Sequence, residues 1–154
     1  MLQIDFLQDI LIKCRENNIH TAVDTAGNVP WNYFAKIMPY TDLFLYDVKC
    51  ISETLHIEGT GISNKLILDN LRTLSKHFNG DIIVRIPIVT GFNDNIEEMQ
   101  KNSHFLKSVH YKNVELLPYH KMGEHKYAAL NMELTTFSTP ETKCIEMYKK
   151  LFIK

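Results

Sequence analysis

Four short runs of apolar and β-branched residues recur along the chain, and segments with helical periodicity separate them. The runs cover residues 19–25, 43–49, 81–89 and 114–120. Their length and their content of β-branched and aromatic residues favour strands over helices. Strands that are apolar on both faces and joined by helices are typical of a parallel sheet with right-handed crossovers. We therefore predict an α/β fold with about four parallel strands and flanking helices.

Apolar residues three and four positions apart mark the helices between these strands. We predict helices over residues 4–17, 63–78 and 94–109, with further helices opening at Pro30-Trp31 and Thr139-Pro140. Ser63 and Ser138 are the expected N-caps of the helices that follow them. Pro87 falls late in the third strand, where its missing N–H predicts a departure from regular pairing.

The charge balance offers no sequence-wide basic surface. Lys and Arg total 17 against 18 Asp and Glu, which disfavours a nucleic-acid partner. The apolar stretches are far too short to span a bilayer, and the first residues carry no secretion signal. We expect a cytoplasmic protein without a membrane partner, folded as one domain over residues 1–154. Strand–helix units would extend to about residue 130, and a tail helix would occupy residues 131–154.

Neither the cysteines nor most of the histidines predict a metal site. Cys14, Cys50 and Cys144 lie far apart along the chain, whereas metal-binding cysteines are usually two to four residues apart. We interpret them as reduced thiols that behave as small hydrophobic residues, not as ligands of a metal cluster. Four histidines are predicted to lie on the solvated surface, namely His56, His77, His104 and His110.

Ionisable residues lie at the end of each predicted strand, where parallel α/β folds bind their ligands. They are Asp24, Asp47 with Lys49, Arg85 and His120. Such charges could pair with one another as a structural ion network. They could also hold a zwitterion, with the cationic groups on its carboxylate and the aspartates on an ammonium or a bound cation. A hydrolytic metal site formed by His120, Asp24 and Asp47 is a weaker third hypothesis, because such sites usually have more than one histidine.

Four stretches of the sequence are similar to one enzyme family. They are IHTAVDTAG at 19–27, LYDVK at 45–49 with GTGISN at 59–64, RIPIVTGFND at 85–94, and ELLPYHKMGEHKY at 115–127. In this order and spacing they resemble the radical S-adenosylmethionine enzymes that activate glycyl radical enzymes. The resemblance implies the C-terminal part of a partial TIM-type (β/α)6 barrel. The family's C-x-x-x-C-x-x-C loop, which binds its 4Fe–4S cluster, and its Gly-Gly-Glu-Pro motif would then lie upstream.

The resemblance also implies a reaction for the full-length protein. Reductive cleavage of S-adenosylmethionine would give a 5′-deoxyadenosyl radical, which takes a hydrogen atom from a glycine of the partner. The implied partners are a glycyl radical enzyme such as pyruvate formate-lyase and a flavodoxin-type or other one-electron reductant. We expect the 154 residues alone to be inactive. The alternative is a stand-alone domain that binds the cofactor or a partner without chemistry. Loss of upstream strands would expose a sheet edge near Val23, through which the chain could dimerise.

Site residues follow from the same resemblance, position by position. Asp24, Thr25, Asp47 and the Leu45 carbonyl match positions that hold a monovalent cation beside the cofactor. Lys49 matches a residue near the methionyl carboxylate, and His120 one near the ribose. The remaining matches are Pro87 and Leu117, which would border the adenine, and Arg85, which belongs to the same active-site ring.

Overall fold

A computed structural model describes residues 1–123, 125–133 and 136–153 of the protein. Within these residues the strands form one sheet, and every neighbouring pair is parallel. The strands are β1 (Ala22–Thr25), β2 (Leu43–Asp47), β3 (Asp81–Ile88) and β4 (Asn113–Pro118). They lie in the order β1-β2-β3-β4, so β1 and β4 are the edge strands. The α/β class and the four parallel strands predicted from the sequence are confirmed.

Helices connect consecutive strands, as the sequence pattern predicts. In the described residues they are α1 (Ile4–Glu16), α2 (Trp31–Ile37), α3 (Glu53–Thr60), α4 (Lys65–His77), α5 (Ile96–Leu106), α6 (His125–Ala129) and α7 (Thr142–Lys149). Short 3₁₀ turns occur at Met38–Tyr40, Lys121–Gly123 and Lys150–Phe152. None of the helices described is both long and apolar enough to cross a membrane.

The two faces of the sheet differ in burial. Side chains alternate between the faces along a strand, and in β3 every second residue from Ile82 to Ile88 is buried. These residues pack in one core with side chains from the helices, including Leu11, Phe34, Leu71, Met99 and Tyr148. The opposite face remains partly open, and it carries Asp24, Leu45, Asp47, Ile83, Arg85, Pro87 and Leu117. The strand-end charges therefore lie on the face that the helices leave uncovered.

Pro87 ends the pairing of β3 with β2 but not with β4. The β2–β3 register stops at Asp47 opposite Arg85, and the N–H of Val48 donates to the Arg85 carbonyl at 2.9 Å. The next ladder donor toward β2 would be the N–H of residue 87, which proline lacks. Pairing with β4 continues, with Pro87 opposite Leu117. The predicted departure from regular pairing is confirmed on the β2 side.

The predicted N-cap at Ser138 is wrong. Ser138 forms an antiparallel bridge with Thr90, and α7 begins only at Thr142. Ser63 lies one residue before the N-cap position of α4, which Asn64 occupies. Its hydroxyl nevertheless accepts the N–H of Lys65, the first residue of α4, at 3.2 Å, and it donates to the Glu53 carboxylate at 2.8 Å.

His56 is buried, so the prediction that it lies on the surface is wrong. The sequence pattern did not predict α3, the helix whose buried side carries His56. His56 is 2% exposed. Its Nδ1 is 2.8 Å from the Ile62 carbonyl and 2.9 Å from Thr60 Oγ1, so it ties the end of α3 to the following turn. The other three histidines of that prediction, His77, His104 and His110, are exposed.

Candidate cofactor site at the strand ends

Arg85 bridges two carboxylates on the partly open face of the sheet. Its Nε donates to Asp47 Oδ1 at 2.9 Å, and its Nη2 donates to Asp24 Oδ1. Asp47 lies opposite Arg85 in the β2–β3 register, and Asp24 belongs to the next strand, β1. Three neighbouring strands thus contribute one charged side chain each. The clustering predicted from the strand ends is confirmed for these three residues.

The three side chains of this ion network differ in their burial. The side chains of Arg85 and Asp47 are 17% and 21% exposed, whereas Asp24 is 60% exposed. Partial burial disfavours the charge on Arg85, but the hydrogen bonds and charges of Asp24 and Asp47 outweigh it and raise the pKa of the guanidinium. Arg85 therefore stays charged and compensates both carboxylates. The ion network considered from the sequence is present in the structure.

Thr25 and His120 do not join this network. Thr25 follows Asp24 in β1 and so points to the other face, where its hydroxyl accepts the N–H of Gly27 at 3.0 Å. His120 lies two residues beyond β4 and is exposed. In the part of the chain that the structure describes, no three His, Cys, Asp or Glu side chains converge to hold a metal ion. The hydrolytic metal-site hypothesis therefore gains no support.

Lys49 lines a cleft of about 540 Å³ beyond the ends of β2 and β3. Aromatic side chains from later segments supply other walls, namely Phe92, Tyr119, Tyr127 and Phe137. Among the described residues, Lys49 has no ion-pair partner for its ammonium. Lys49 is a half-buried residue, and an ammonium that lines a cleft and lacks a partner in this part of the structure is suited to bind a carboxylate.

Apolar side chains lie on the same sheet face as the charges. Pro87 and Leu117 face each other across β3 and β4, and Leu117 is 36% exposed. Leu45 lies beside Asp24 in the β1–β2 register and is half-buried. The structure therefore brings Leu45, Pro87 and Leu117 onto the face that carries Arg85, while Lys49 lies at its edge.

Two buried side chains fix the loop that follows Lys49. Asn64 donates its amide to the carbonyls of Cys50 and Ile51 at 3.0 and 2.9 Å. The Glu98 carboxylate accepts the N–H groups of Ile51 and Ser52, and also the Ser52 hydroxyl at 2.6 Å. Asn64 and Glu98 are each 2% exposed. The loop therefore has little freedom to move relative to α4 and α5.

A third buried side chain, Asn93, bonds the carbonyl of Lys49 itself. Its Nδ2 donates to Lys49 at 2.5 Å and to the Pro87 carbonyl at 2.7 Å, and its Oδ1 accepts the N–H of Val89 at 2.8 Å. Sequence reasoning assigned no role to Asn64, Asn93 or Glu98. The available signal was that both asparagines fall inside stretches that carry the family resemblance, 59–64 and 85–94.

Known proteins are similar to this chain in sequence. No protein-family model matches the chain. The trans-4-hydroxy-L-proline dehydratase activating enzyme of Clostridioides difficile is 38% identical over 97% of this chain and 50% of its own length. The 4-hydroxyphenylacetate decarboxylase activating enzyme of C. difficile strain CD196 is 37% identical over 86% of this chain and 42% of its own length. The chain is a homologue of the glycyl radical enzyme activating enzymes.

A solved structure supports the same assignment. The crystal structure of a domain of pyruvate-formate lyase-activating enzyme from Bacteroides vulgatus matches with a TM-score of 0.82 and 28% identity, over 97% of this chain and 85% of that one. The resemblance to activating enzymes inferred from the sequence is confirmed. The chain spans half or less of the length of these curated activating enzymes.

The thiols of this activating-enzyme homologue are free. Cys50 is fully buried, as predicted for a small core residue, and Cys14 and Cys144 are half-buried. Burial, and then the neighbouring Glu98 carboxylate, raise the pKa of the Cys50 thiol from 9.0 to about 12. Cys50 is therefore a neutral thiol at physiological pH, which disfavours it as a metal ligand or nucleophile.

Alkaline pH is expected to destabilise the fold through Cys50. Because its pKa is higher in the folded state, its contribution to stability is complete below about pH 9 and is lost as the pH rises toward 12. We expect the free energy of unfolding to fall over this range, and to fall less in Cys50→Ala. Urea denaturation at a series of pH values measures the free energy of unfolding of each variant. Cys14→Ala is the control, because Cys14 is only half-buried. Equal pH slopes in the two variants would contradict the prediction.

Proposed function

We propose that this chain is the C-terminal part of a radical S-adenosylmethionine enzyme that activates a glycyl radical enzyme. The observation that carries the proposal is the Lys49 ammonium, which lines a cleft beside the network of Asp24, Arg85 and Asp47 and has no ionic partner among the described residues. Two relatives that are more than a third identical bear the name of activating enzymes, which supports the same role here. Because its cysteines are free thiols, we also propose that the protein functions in the reducing cytoplasm.

The donor set suits S-adenosylmethionine. Its methionyl carboxylate matches the Lys49 side chain, which lines the cleft. Its adenine matches the half-buried apolar surface of Pro87 and Leu117, and its ribose would lie near the exposed His120. Arg85 would complete the ring around the cofactor while it holds the two aspartates in place.

We further propose a monovalent cation beside the cofactor. The Asp24 and Asp47 carboxylates and the Leu45 carbonyl supply the hard oxygen atoms that such ions prefer. Because both carboxylates bond Arg85, a cation would share them with the guanidinium. Thr25 is the weakest of the four proposed ligands, because its side chain points to the opposite face of the sheet, where its hydroxyl accepts the N–H of Gly27.

The proposed reaction divides the work between the cofactors and the chain. A 4Fe–4S cluster, when bound, would supply the one electron that cleaves S-adenosylmethionine to methionine and a 5′-deoxyadenosyl radical, which would become 5′-deoxyadenosine by taking a hydrogen atom from a glycine of the partner. The residues of this chain would bind and orient the cofactor and limit its access to water. The partner would be a glycyl radical enzyme such as pyruvate formate-lyase, and the electron would come from a flavodoxin-type or other one-electron reductant.

The cluster ligands would come from a segment outside these residues. Cys14 lies in α1, Cys50 follows β2 and Cys144 lies in α7. The described residues contain no converging group of thiols that could hold iron, whereas a 4Fe–4S cluster takes closely placed cysteine thiolates.

Anaerobic reconstitution tests the proposed function directly. After treatment with iron, sulfide, dithionite and S-adenosylmethionine, the 154-residue chain is expected to form no stable cluster and no 5′-deoxyadenosine. Without iron to bind the methionyl group, the remaining contacts leave at best millimolar cofactor affinity. The full-length protein is expected to form both a cluster and 5′-deoxyadenosine.

The other outcomes of this experiment identify the alternatives. A full-length protein that binds S-adenosylmethionine but never cleaves it would be a non-catalytic binding domain. Zinc retained through purification would revive the hydrolase hypothesis. A stoichiometric cluster in the 154-residue chain would contradict the assignment of the ligands to another segment.

We also propose that the outer edge of β1 pairs with another strand. β1 lies at the edge of the sheet, so one side of its backbone has no strand neighbour among the described residues. Exposed strand edges commonly pair with other chains. We expect the 154-residue chain to dimerise through this edge. A monomer in light scattering, together with fast amide exchange over residues 21–24, would contradict the prediction.

A further inference from the structure

We infer that Asn93 is a positioning residue that sets where Lys49 presents its ammonium. The inference rests on the proposed function, because it takes Lys49 as the contact for the methionyl carboxylate. It starts from a gap in the sheet: the ladder between β2 and β3 stops at Arg85, since the next donor position is Pro87. The last bond from this end of β2 to the backbone of β3 is the one from the Val48 N–H to the Arg85 carbonyl, so Lys49 itself would have no bond to β3 without a substitute.

Asn93 supplies that substitute through its carboxamide. One Nδ2 group donates to the carbonyl of Lys49 at 2.5 Å and to that of Pro87 at 2.7 Å, and thereby joins the ends of β2 and β3. The Oδ1 accepts the N–H of Val89 at 2.8 Å, which fixes the orientation of the amide. Asn93 is 0% exposed, so water cannot replace these bonds.

One of the Asn93 hydrogen bonds holds Lys49, the residue proposed to contact the cofactor. Asn64 and Glu98 bond Cys50, Ile51 and Ser52, whereas Asn93 alone of the three bonds Lys49. An ammonium on a flexible stem binds a carboxylate well only when its backbone is held in place. Loss of Asn93 should therefore weaken the contact with the methionyl carboxylate more than the contacts with the adenosine half, which Asn93 reaches only through the Pro87 carbonyl.

The first arm of the test needs no ligand. Amide hydrogen exchange is measured in the 154-residue chain for Asn93→Asp, which keeps the volume and the acceptor oxygen but loses the two donors. The control is Asn102→Asp in α5, where a buried carboxamide donates to the Glu98 carbonyl at 3.0 Å, away from Lys49. We expect at least tenfold faster exchange over residues 48–50 in Asn93→Asp than in Asn102→Asp. Equal exchange in this segment would overturn the inference.

The second arm measures binding by the full-length, cluster-loaded enzyme. Equilibrium dialysis compares S-adenosylmethionine with methylthioadenosine, which lacks the amino acid carboxylate. We expect Asn93→Asp to weaken the binding of S-adenosylmethionine about tenfold, the scale of one charge-assisted hydrogen bond, and to weaken the binding of methylthioadenosine less. In a Lys49→Met background the substitution should have no further effect, because the two residues act through one contact.

The outcomes separate the two claims. Equal loss of both ligands, or additive loss in the double variant, would show that Asn93 does not act through Lys49. If the unmodified enzyme binds neither ligand, the proposed function is wrong, and the exchange measurement still decides whether Asn93 holds Lys49. Faster exchange together with a selective loss of S-adenosylmethionine would support both claims.

Discussion

Gly27→Ala is expected to lower the free energy of unfolding by about 3 kcal/mol, from overpacking and an unfavourable backbone angle together. The new Cβ would lie 1.7 Å from the Tyr46 hydroxyl and 2.2 Å from Cζ of the same ring. Tyr46 has no room to yield, because it is 0% exposed and its hydroxyl donates to the Ile67 carbonyl at 2.7 Å. Gly27 also has φ +74°, which favours glycine.

Gly61 provides the matched control for this experiment. It has a similar φ of +78°, but a Cβ there would meet no atom within 4 Å. Gly61→Ala should therefore lose only the backbone contribution, about 1 kcal/mol. Chemical denaturation of both variants gives the difference, and similar losses would contradict the packing explanation. In the Tyr46→Phe background, removal of the nearest oxygen should reduce the effect of Gly27→Ala.

Lys49→Met is expected to weaken S-adenosylmethionine binding by the full-length enzyme about ten- to a hundredfold. Methionine keeps most of the apolar stem but removes the charge, and the loss of a charge-assisted hydrogen bond typically costs about 1.5–3 kcal/mol. Equilibrium dialysis under anaerobic conditions measures the change. A wild-type affinity would mean that Lys49 does not contact the cofactor.

Lys112→Met separates the local contact from a general effect of charge. Lys112 pairs with Asp81 at 2.6 Å, at the end of β3 remote from Arg85. Lys112→Met removes one positive charge, as Lys49→Met does, but Lys112 does not line the cleft. The affinity for S-adenosylmethionine should therefore stay at the wild-type value. Equal losses in both lysine variants would point to long-range electrostatics.

The sheet and its charged end were predictable because the necessary pattern is local. Apolar runs predicted the four strands, and their parallel arrangement predicted that Asp24, Asp47 and Arg85 lie close together, although Arg85 lies in the middle of β3, opposite the end of β2. The ends of the elements were less predictable. The run 19–25 contains only four strand residues, Ala22–Thr25, because β1 pairs with the five-residue β2.

The supports of the site were not predictable, because each depends on a distant partner. Asn93 meets Lys49 across 44 positions, and Glu98 meets Ile51 across 47. In the sequence, an asparagine in a turn and a glutamate in a helix both look like surface residues, although both are buried here. Apolar residues such as Leu45 and Ile83 predicted burial on both faces of the sheet, yet the helices cover only one.

The distance between the Lys49 loop and its supports has a consequence during synthesis. At about 5–20 residues per second, the chain needs roughly 2–10 s to grow from Lys49 to Glu98. In that interval Asn93 and Glu98 do not yet exist, so the loop cannot adopt its final geometry. Cys50, which the finished fold buries completely, would then be open to oxidants. A nascent chain stalled before residue 93 should react with a thiol reagent at Cys50, and the released protein should not.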